Sequence, residues 1–370
     1  MKSGFHAAAL CFCMSAASAT GATVSNVGFS QDPQTFKATV TYRIDEPAII
    51  TVDVRTNRGD GVYATIGADK LRRISGEVNK LVTNVNTSVS ATWPIDSSMP
   101  EQTISAARIV VTAWATNAPP DYMAINLIDT DVVRYYVSAD AFPVPVTNGM
   151  YKTDWLVMRR IPAAGVRWHM DCQGQNDHVV SLPDDYYIGI YEFTVGQWMR
   201  CGVTASLGGK IWANGKKSAP GTSYDKLRGS GAAINELRSF LGIDADLPTE
   251  EQWEYACRAG TGTAVYGGGV SSEEFIRANA WYRGNCDRWS DTEVGMFSPN
   301  PWGLYDMYGG QMEMCLDMYD AEKRVVRSAC YTHSWDVMTS SWRGGYAETT
   351  GYDNIGFRLV APCRAPLKAK

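Results

Sequence analysis

Seven cysteines follow residue 22: Cys172, Cys201, Cys257, Cys286, Cys315, Cys330 and Cys363. A thiol can be a nucleophile, a soft-metal ligand or half of a disulfide, and an odd number leaves at least one free or paired between chains. The spacing C-x-x-C is absent, which argues against a zinc ribbon and a thioredoxin-like motif. Three histidines accompany them: His169 and His178 frame Asp171 and Asp177, and His333 stands beside Ser334 and Trp335, close behind Cys330. Two histidines and a carboxylate would suit an iron-binding facial triad, but the first group reads as a polar loop. Gly208-Gly209-Lys210 and Gly267-Gly268-Gly269 lack the full phosphate-loop pattern, and no G-x-S-x-G elbow is present, so neither nucleotide binding nor a hydrolase triad is expected. Between Tyr331 and Tyr352 the chain carries Tyr331, His333, Trp335, Asp336, Trp342, Arg343, Tyr346, Glu348 and Tyr352. Side chains of these types give binding surfaces a large contact area at low entropy cost.

The chain that must position these groups has 370 residues, enough for two domains and a short leader. With 45% apolar and 20% charged residues it lies far from the composition of disordered chains. A net charge of -5, with the basic residues scattered, argues against a nucleic-acid partner. Residues 1–22 read as a signal peptide: Lys2, an apolar stretch through Met14, and Ala17-Ser18-Ala19 as a cleavage signal. The apolar run is too short for a membrane span, and Leu10 and Phe12 before Cys11 and Cys13 argue against a lipid anchor. Export to the periplasm or the exterior is the expectation.

Cysteine and tryptophan divide the rest. Residues 23–150 hold none of the seven cysteines and only Trp93 and Trp114 of the 12 tryptophans. Residues 23–140 alternate in the strand period, with Phe36, Ala38, Val40 and Tyr42 on one face and further strands at 48–54, 89–93, 108–114 and 132–137. Turn chemistry at Asn57 to Gly61 and Ala118 to Asp121 separates them, and a small antiparallel sandwich of immunoglobulin or fibronectin type is expected, as a spacer or interaction module. Residues 141–154, with Pro143, Pro145, Asn148 and Gly149, read as a linker. Beyond it, Thr249-x-x-Gln252 and Ser271-x-x-Glu274 read as capping boxes, and Ile234, Leu237 and Leu241 share one helix face.

Four segments then stand in order: YIGIYEFTVGQW at 187–198, LPTEEQWEYACR at 247–258, NPWGLYDM at 300–307 and NIGFRLV at 354–360. Together they resemble the formylglycine-generating enzyme family, the sulfatase-modifying factor domain, over residues 155–363, leaving 364–370 as a tail. The resemblance implies an α+β fold, a variant C-type-lectin-like domain with little regular structure, often calcium-stabilised. In enzymes of this family two cysteines bind copper and use oxygen to oxidise a sulfatase cysteine to formylglycine. Other members are iron-dependent sulfoxide synthases, whose histidines come largely from an additional helical domain, or binding proteins, including variable targets of diversity-generating retroelements.

The family's thiols stand five residues apart, just after an R-V-x-R-G-G-S-[FW] segment. Here that segment is Arg324-Val325-Val326-Arg327-Ser328-Ala329-Cys330-Tyr331, so Cys330 takes the serine position, and His333 and Met338 occupy the thiol positions. An imidazole and a thioether are a weaker set for Cu(I) than two thiolates. The implied function is therefore that of a catalytically degenerate, exported member binding a protein or glycan through a groove formed by Tyr331, His333, Trp335, Asp336, Tyr346, Glu348 and Tyr352. The alternative is a metal-dependent oxidoreductase, with copper, rebuilt on Cys330 and His333. For calcium, Asn279 and Ala280 match one family site, with Asp287 or Asp291 as later ligands. Of the second site, built on a G-N-x-W-E-W motif, only Glu313 remains.

Overall fold

A computed structural model describes residues 22–57, 62–95, 107–171, 177–205, 207, 215–221, 223–229, 233–286 and 292–364. It is a mixed α/β protein, mostly sheets with few helices, in two compact units. The first comprises residues up to 123 and 133–146, the second residues 124–132 and 147 onward.

In the first unit the strands are β1 (Val24–Gln31), β2 (Lys37–Ile44), β3 (Ala48–Asn57), β4 (Tyr63–Thr65), β5 (Ser75–Gly76), β6 (Lys80–Val82), β7 (Val89–Pro94) and β8 (Ala107–Trp114). One sheet runs β1-β2-β7-β5; in the other, β3 pairs with β4, β6 and β8. Alternation places Val40, Tyr42 and Ile44 of β2 in one buried cluster with Ile50 and Val54 of β3, Trp93 of β7, and Ile109 and Val111 of β8. Such a cluster removes one apolar face of each sheet from water. Two polar tips are satisfied inside it: the Trp93 indole donates to Lys70 O (3.0 Å), and the Tyr42 hydroxyl to Glu77 O. Phe36 departs from the expected face. It has φ +56° and its N–H donates to Asp32 O, so it closes the turn before β2 instead of pointing into the core. Of the expected turn at 57–61, residues 58–61 lie outside the described residues, as do residues 1–21 of the expected leader and 365–370 of the expected tail.

Two further strands are β9 (Tyr122–Asn126) and β10 (Val133–Tyr136). Of the segment read as a linker, residues 141–146 belong to the first unit and 147–154 to the second. Its 3₁₀ turn Gly149–Lys152 is capped by Asn148 and buries Tyr151 and Lys152; Asp154 O accepts from Leu127 N and Lys152 O from Thr194 Oγ1. Proline and glycine punctuated the chain there correctly, but the side chains between them are packed.

The second unit's strands are β11 (Trp155–Ile161), β12 (Arg167–Met170), β13 (His178–Ser181), β14 (Tyr186–Gly189), β15 (Met312–Met318), β16 (Lys323–Arg327), β17 (Arg343–Ala347), β18 (Ile355–Gly356) and β19 (Val360–Pro362). Strands β11, β14 and β19 pair antiparallel, β12 and β13 form a hairpin, and a four-stranded sheet runs β17-β16-β15-β18. Helices α1 (Val195–Arg200), α2 (Tyr224–Arg228), α3 (Ala233–Leu241), α4 (Glu250–Arg258) and α5 (Glu273–Asn279) lie between the sheet-forming segments. Ile234, Leu237 and Leu241 share the buried face of α3, as their spacing predicts.

The box at Thr249 and Gln252 opens α4 with both reciprocal bonds, and a second one, at Thr194 and Gln197, opens α1. The box expected at Ser271 and Glu274 is displaced by one residue. Ser272 caps α5 by accepting from Phe275 N, while Ser271 Oγ donates to Trp335 O (3.0 Å). Thr249→Ala should cost about 1 kcal/mol, a fall of roughly 2–4 °C in melting temperature, measurable by calorimetry on the full chain.

Candidate functional site

Strands β16 and β17 are joined by residues 328–342, and both ends of that loop are held by one carboxylate. Arg327 and Arg343 face each other in the antiparallel register. Arg327 Nη1 donates to Glu250 Oε1 (2.9 Å), while Arg343 donates through Nε to Oε1 (2.7 Å) and through Nη2 to Oε2 (2.8 Å). Arg327 Nη2 also reaches Glu254 Oε2 (2.5 Å) and Ser340 O (2.6 Å), and Arg258 Nε donates to Glu254 Oε1 (2.7 Å). Both glutamates come from α4, whose capping box fixes where they point.

Inside the loop, Cys330 Sγ lies 3.1 Å from His333 Nδ1 and 3.1 Å from Thr332 Oγ1, and Asn354 Nδ2 approaches it at 3.5 Å. The Cys330 N–H also points at His333 Nδ1 (3.1 Å), and His333 N donates to Cys330 O (2.8 Å). Burial alone would push the Cys330 thiol up; the hydrogen bonds from His333 and Thr332 outweigh it and hold the thiol below its ordinary value. The same contact to Cys330 raises His333, against a smaller opposing effect of burial. Other buried free thiols behave oppositely. Burial pushes Cys201 and Cys257 up to about 12, and Cys315 is also driven well up by burial.

Ser328 takes the position of the first glycine in the resembled segment and keeps a left-handed backbone, φ +62°. Its hydroxyl donates to Ala329 O (3.0 Å) inside the buried turn. Gly309 is needed for a different reason: besides φ +71°, a Cβ there would stand 1.9 Å from Trp281 O. Tyr331 N, donating to Gly310 O (2.9 Å), ties the loop to this turn.

The residues predicted to line a groove divide into three groups. Tyr331, His333 and Tyr346 are half-buried around Cys330, and Tyr352 meets Tyr346 edge to face at 5.0 Å. Trp335 and exposed Asp336 sit on the 3₁₀ turn Trp335–Val337, and Glu348 Oε1 accepts from Arg324 Nε (2.6 Å). His333 packs against Trp342 at 5.2 Å, and Met338 is fully buried. Sequence reasoning missed Thr332, Asn354 and Glu250, although Asn354 and Glu250 stand inside two of the segments that carried the resemblance.

The calcium candidates belong to two separate expected sites. Asn279 ends α5 with its Nδ2 donating to Phe275 O (2.8 Å), Ala280 O accepts from Asn285 Nδ2 (2.9 Å), and Asp287 and Asp291 lie outside the described residues. Glu313 is engaged elsewhere: both oxygens accept from Arg358 (2.6 Å each), and Oε2 also accepts from the Trp253 indole (2.7 Å). A calcium ion there would have to displace a buried guanidinium. His169 meets Asp177 at 2.8 Å on the surface of the β12–β13 hairpin. Among the described residues, no three His, Cys, Asp or Glu side chains converge as a metal-binding group, and no helix is long and apolar enough to cross a membrane.

Beneath the loop, Arg358 faces three buried carboxylates, Glu313, Glu192 and Asp306. Burial pushes Glu192 well up, helped by Glu313 and Asp306, and burial takes Asp306 to about 6. Arg358, and Lys152 acting on Asp306, do not offset the burial of Glu192, so its neutral form is favoured.

Residues 158–363 match the family model described as the Sulfatase-modifying factor enzyme 1-like domain. The chain is 31% identical over 150 residues to a Bos taurus protein named "Inactive C-alpha-formylglycine-generating enzyme 2", covering 36% of this chain and 49% of that one. It is 42% identical over 76 residues to the "Formylglycine-generating enzyme" of Mycobacterium tuberculosis, covering 18% of this chain and 25% of that one. The chain thus spans half or less of the length of these curated relatives. Among solved structures it is similar to "Treponema denticola variable protein 1", with a TM-score of 0.47 and 21% identity, covering 56% of this chain and 95% of that one.

Two outcomes are expected. Arg327→Met removes the guanidinium that bridges Glu250 and Glu254, leaving Glu250 to Arg343 and Glu254 to Arg258, and should cost about 3 kcal/mol in denaturant unfolding. Because the folded state raises Glu192 above its unfolded value of 4.5, its contribution is fully present below that value and is lost as pH rises toward the folded one. Glu192→Gln should therefore flatten the decline in stability as pH rises above 4.5, followed by the denaturant midpoint.

Proposed function

Since the chain belongs to the sulfatase-modifying factor family, we propose that it is an exported member that no longer performs the family's cysteine oxidation and instead binds a protein or glycan through the groove around residues 331–352. The observation that carries this reading is what stands at the two thiol positions. Met338 is buried without exposed surface, and His333 is turned onto Cys330, so a single thiol remains where copper would need two. These residues do not fit the copper centre. The word "Inactive" in the name of the bovine relative accords with this reading.

What is left at the site suits recognition. Half-buried Tyr331, His333, Trp335, Tyr346 and Tyr352 present rigid rings beside polar tips, with exposed Asp336 at the margin. The same reading takes the second unit as a variant C-type-lectin-like domain, with a structural calcium at Asn279 and Ala280. The first unit becomes an immunoglobulin- or fibronectin-type sandwich serving as a spacer or interaction module. A second reading, a metal-dependent oxidoreductase rebuilt around the remaining thiol, is favoured by the 3.1 Å contact of Cys330 with His333.

One preparation of the mature protein discriminates the two. It is assayed for bound copper and iron, then incubated with copper, a reductant and a peptide carrying a sulfatase target cysteine. No stoichiometric metal and no change in peptide mass are expected; metal binding with conversion to formylglycine would overturn the first reading in favour of the second. Against glycan and protein arrays, Trp335→Ala and Tyr346→Ala should each weaken whatever the wild type retains by at least about tenfold.

A further inference from the structure

We infer that Cys330 is a modification site, a nucleophilic thiol assisted by His333 that small hydroperoxides oxidise to the sulfenic acid. The inference stands apart from ligand binding by the groove. It rests on how the sulfur is surrounded. A structural buried cysteine behaves as a small hydrophobe, whereas three polar side chains, Thr332, His333 and Asn354, converge on Cys330 Sγ.

The geometry also assigns the base. The Cys330 backbone N–H can only donate, so His333 Nδ1, which faces it, carries a lone pair in that contact and turns the same lone pair toward the thiol. The remaining ionisable groups near the pair are Tyr331 and Tyr346 beside Cys330, Arg283 beside His333, and Cys286 and Asp353 beside Tyr331. The contact with Cys330 raises the proton affinity of the ring, with burial and Arg283 opposing it, which suits the ring to take the thiol proton.

The size of the reagent follows from depth. Cys330 is 0% exposed, yet Thr332 is exposed and His333 and Asn354 are half-buried, so the sulfur lies one side chain below the surface. A compact, neutral hydroperoxide can enter by small movements of that layer, and bulky reagents are excluded. In the step itself His333 takes the thiol proton, and the thiolate sulfur attacks one peroxide oxygen. The S–O bond forms as the O–O bond breaks, and the departing oxygen takes the proton back from the imidazolium as water or an alcohol. Sulfur gives up two electrons and the peroxide gains them, so thiol plus hydroperoxide becomes sulfenic acid plus water or alcohol.

The test uses the full chain and hydrogen peroxide. After timed exposure and quenching, the protein is unfolded, remaining thiols are alkylated, and peptide mass spectrometry follows each cysteine and locates the added oxygen. Cys330 should be consumed at least about tenfold faster than Cys257 and Cys315 in the same molecules. Its rate should level off at a pH below the ordinary thiol range, and His333→Gln should slow it about tenfold or more. Oxidation of Cys330 no faster than that of Cys257 and Cys315 would overturn the inference, as would a rate that follows an ordinary thiol titration. Both comparisons are made on the wild-type chain, so they decide the matter even where the His333 variant does not fold.

Discussion

Glu250 receives an arginine from the end of β16 and another from the start of β17, and the whole of the loop that carries Cys330, His333 and Trp335 hangs between those two grips. A buried carboxylate facing two guanidinium groups is tolerable only when every charge has a partner, because an unpaired charge in this interior costs several kcal/mol. The structure meets that condition by routing the second glutamate of α4 into the same group: Glu254 takes Arg327 from one side and Arg258 from the other. The N–H of Glu250 in turn donates to Asp317 Oδ2 (2.5 Å). The position of the loop is thus set by the start of a helix. Thr249 and Gln252 fix the first turn of α4, the turn aims Glu250, and Glu250 fixes both ends of residues 328–342.

The region around Arg358 follows an opposite logic. There three carboxylates face Arg358, with Lys152 acting on Asp306, and burial favours a proton on Glu192. The two arrangements make different demands on pH. Around Glu250 each guanidinium has a carboxylate partner, whereas beneath the loop burial favours the neutral forms of Asp306 and Glu192, so that group loosens as pH rises and they ionise. Gly310 backs onto Glu192 and its carbonyl holds Tyr331, so ionisation below is mechanically close to the loop above.

Much of the frame could be read in advance, and the reasons differ from element to element. The alternation around Val40 and Tyr42 and the i, i+3, i+7 spacing of Ile234, Leu237 and Leu241 are strong because burial on one face imposes a period. The capping box at Thr249 is legible because it is a purely local device. The one at Ser271 failed by one residue because two serines stand together and the carbonyl of Trp335, distant in sequence, claimed the first. Phe36 fitted the strand period and still left it, since turn geometry at Asp32 takes precedence at the end of a strand. The site was legible only in part. Cys330 and His333 stand close enough in the chain to be read together, but the other partners of Cys330 come from Asn354 on a later segment and from the path of a loop that no period describes.

The substitutions within the loop separate what the frame requires from what the chemistry requires. Where the resembled segment has glycine, Ser328 still adopts the left-handed backbone and pays for it with a hydroxyl bonded inside its own turn. The path of the loop is set by Arg327, Arg343 and Glu250 at its ends and by Gly310, whose carbonyl holds Tyr331. Chemistry has no such redundancy. On the proposed reading an imidazole and a buried thioether stand at the positions of the soft pair, and the frame does not restore it. The acidity of Cys330, in contact with His333, follows from the polar neighbours that the loop brings to it.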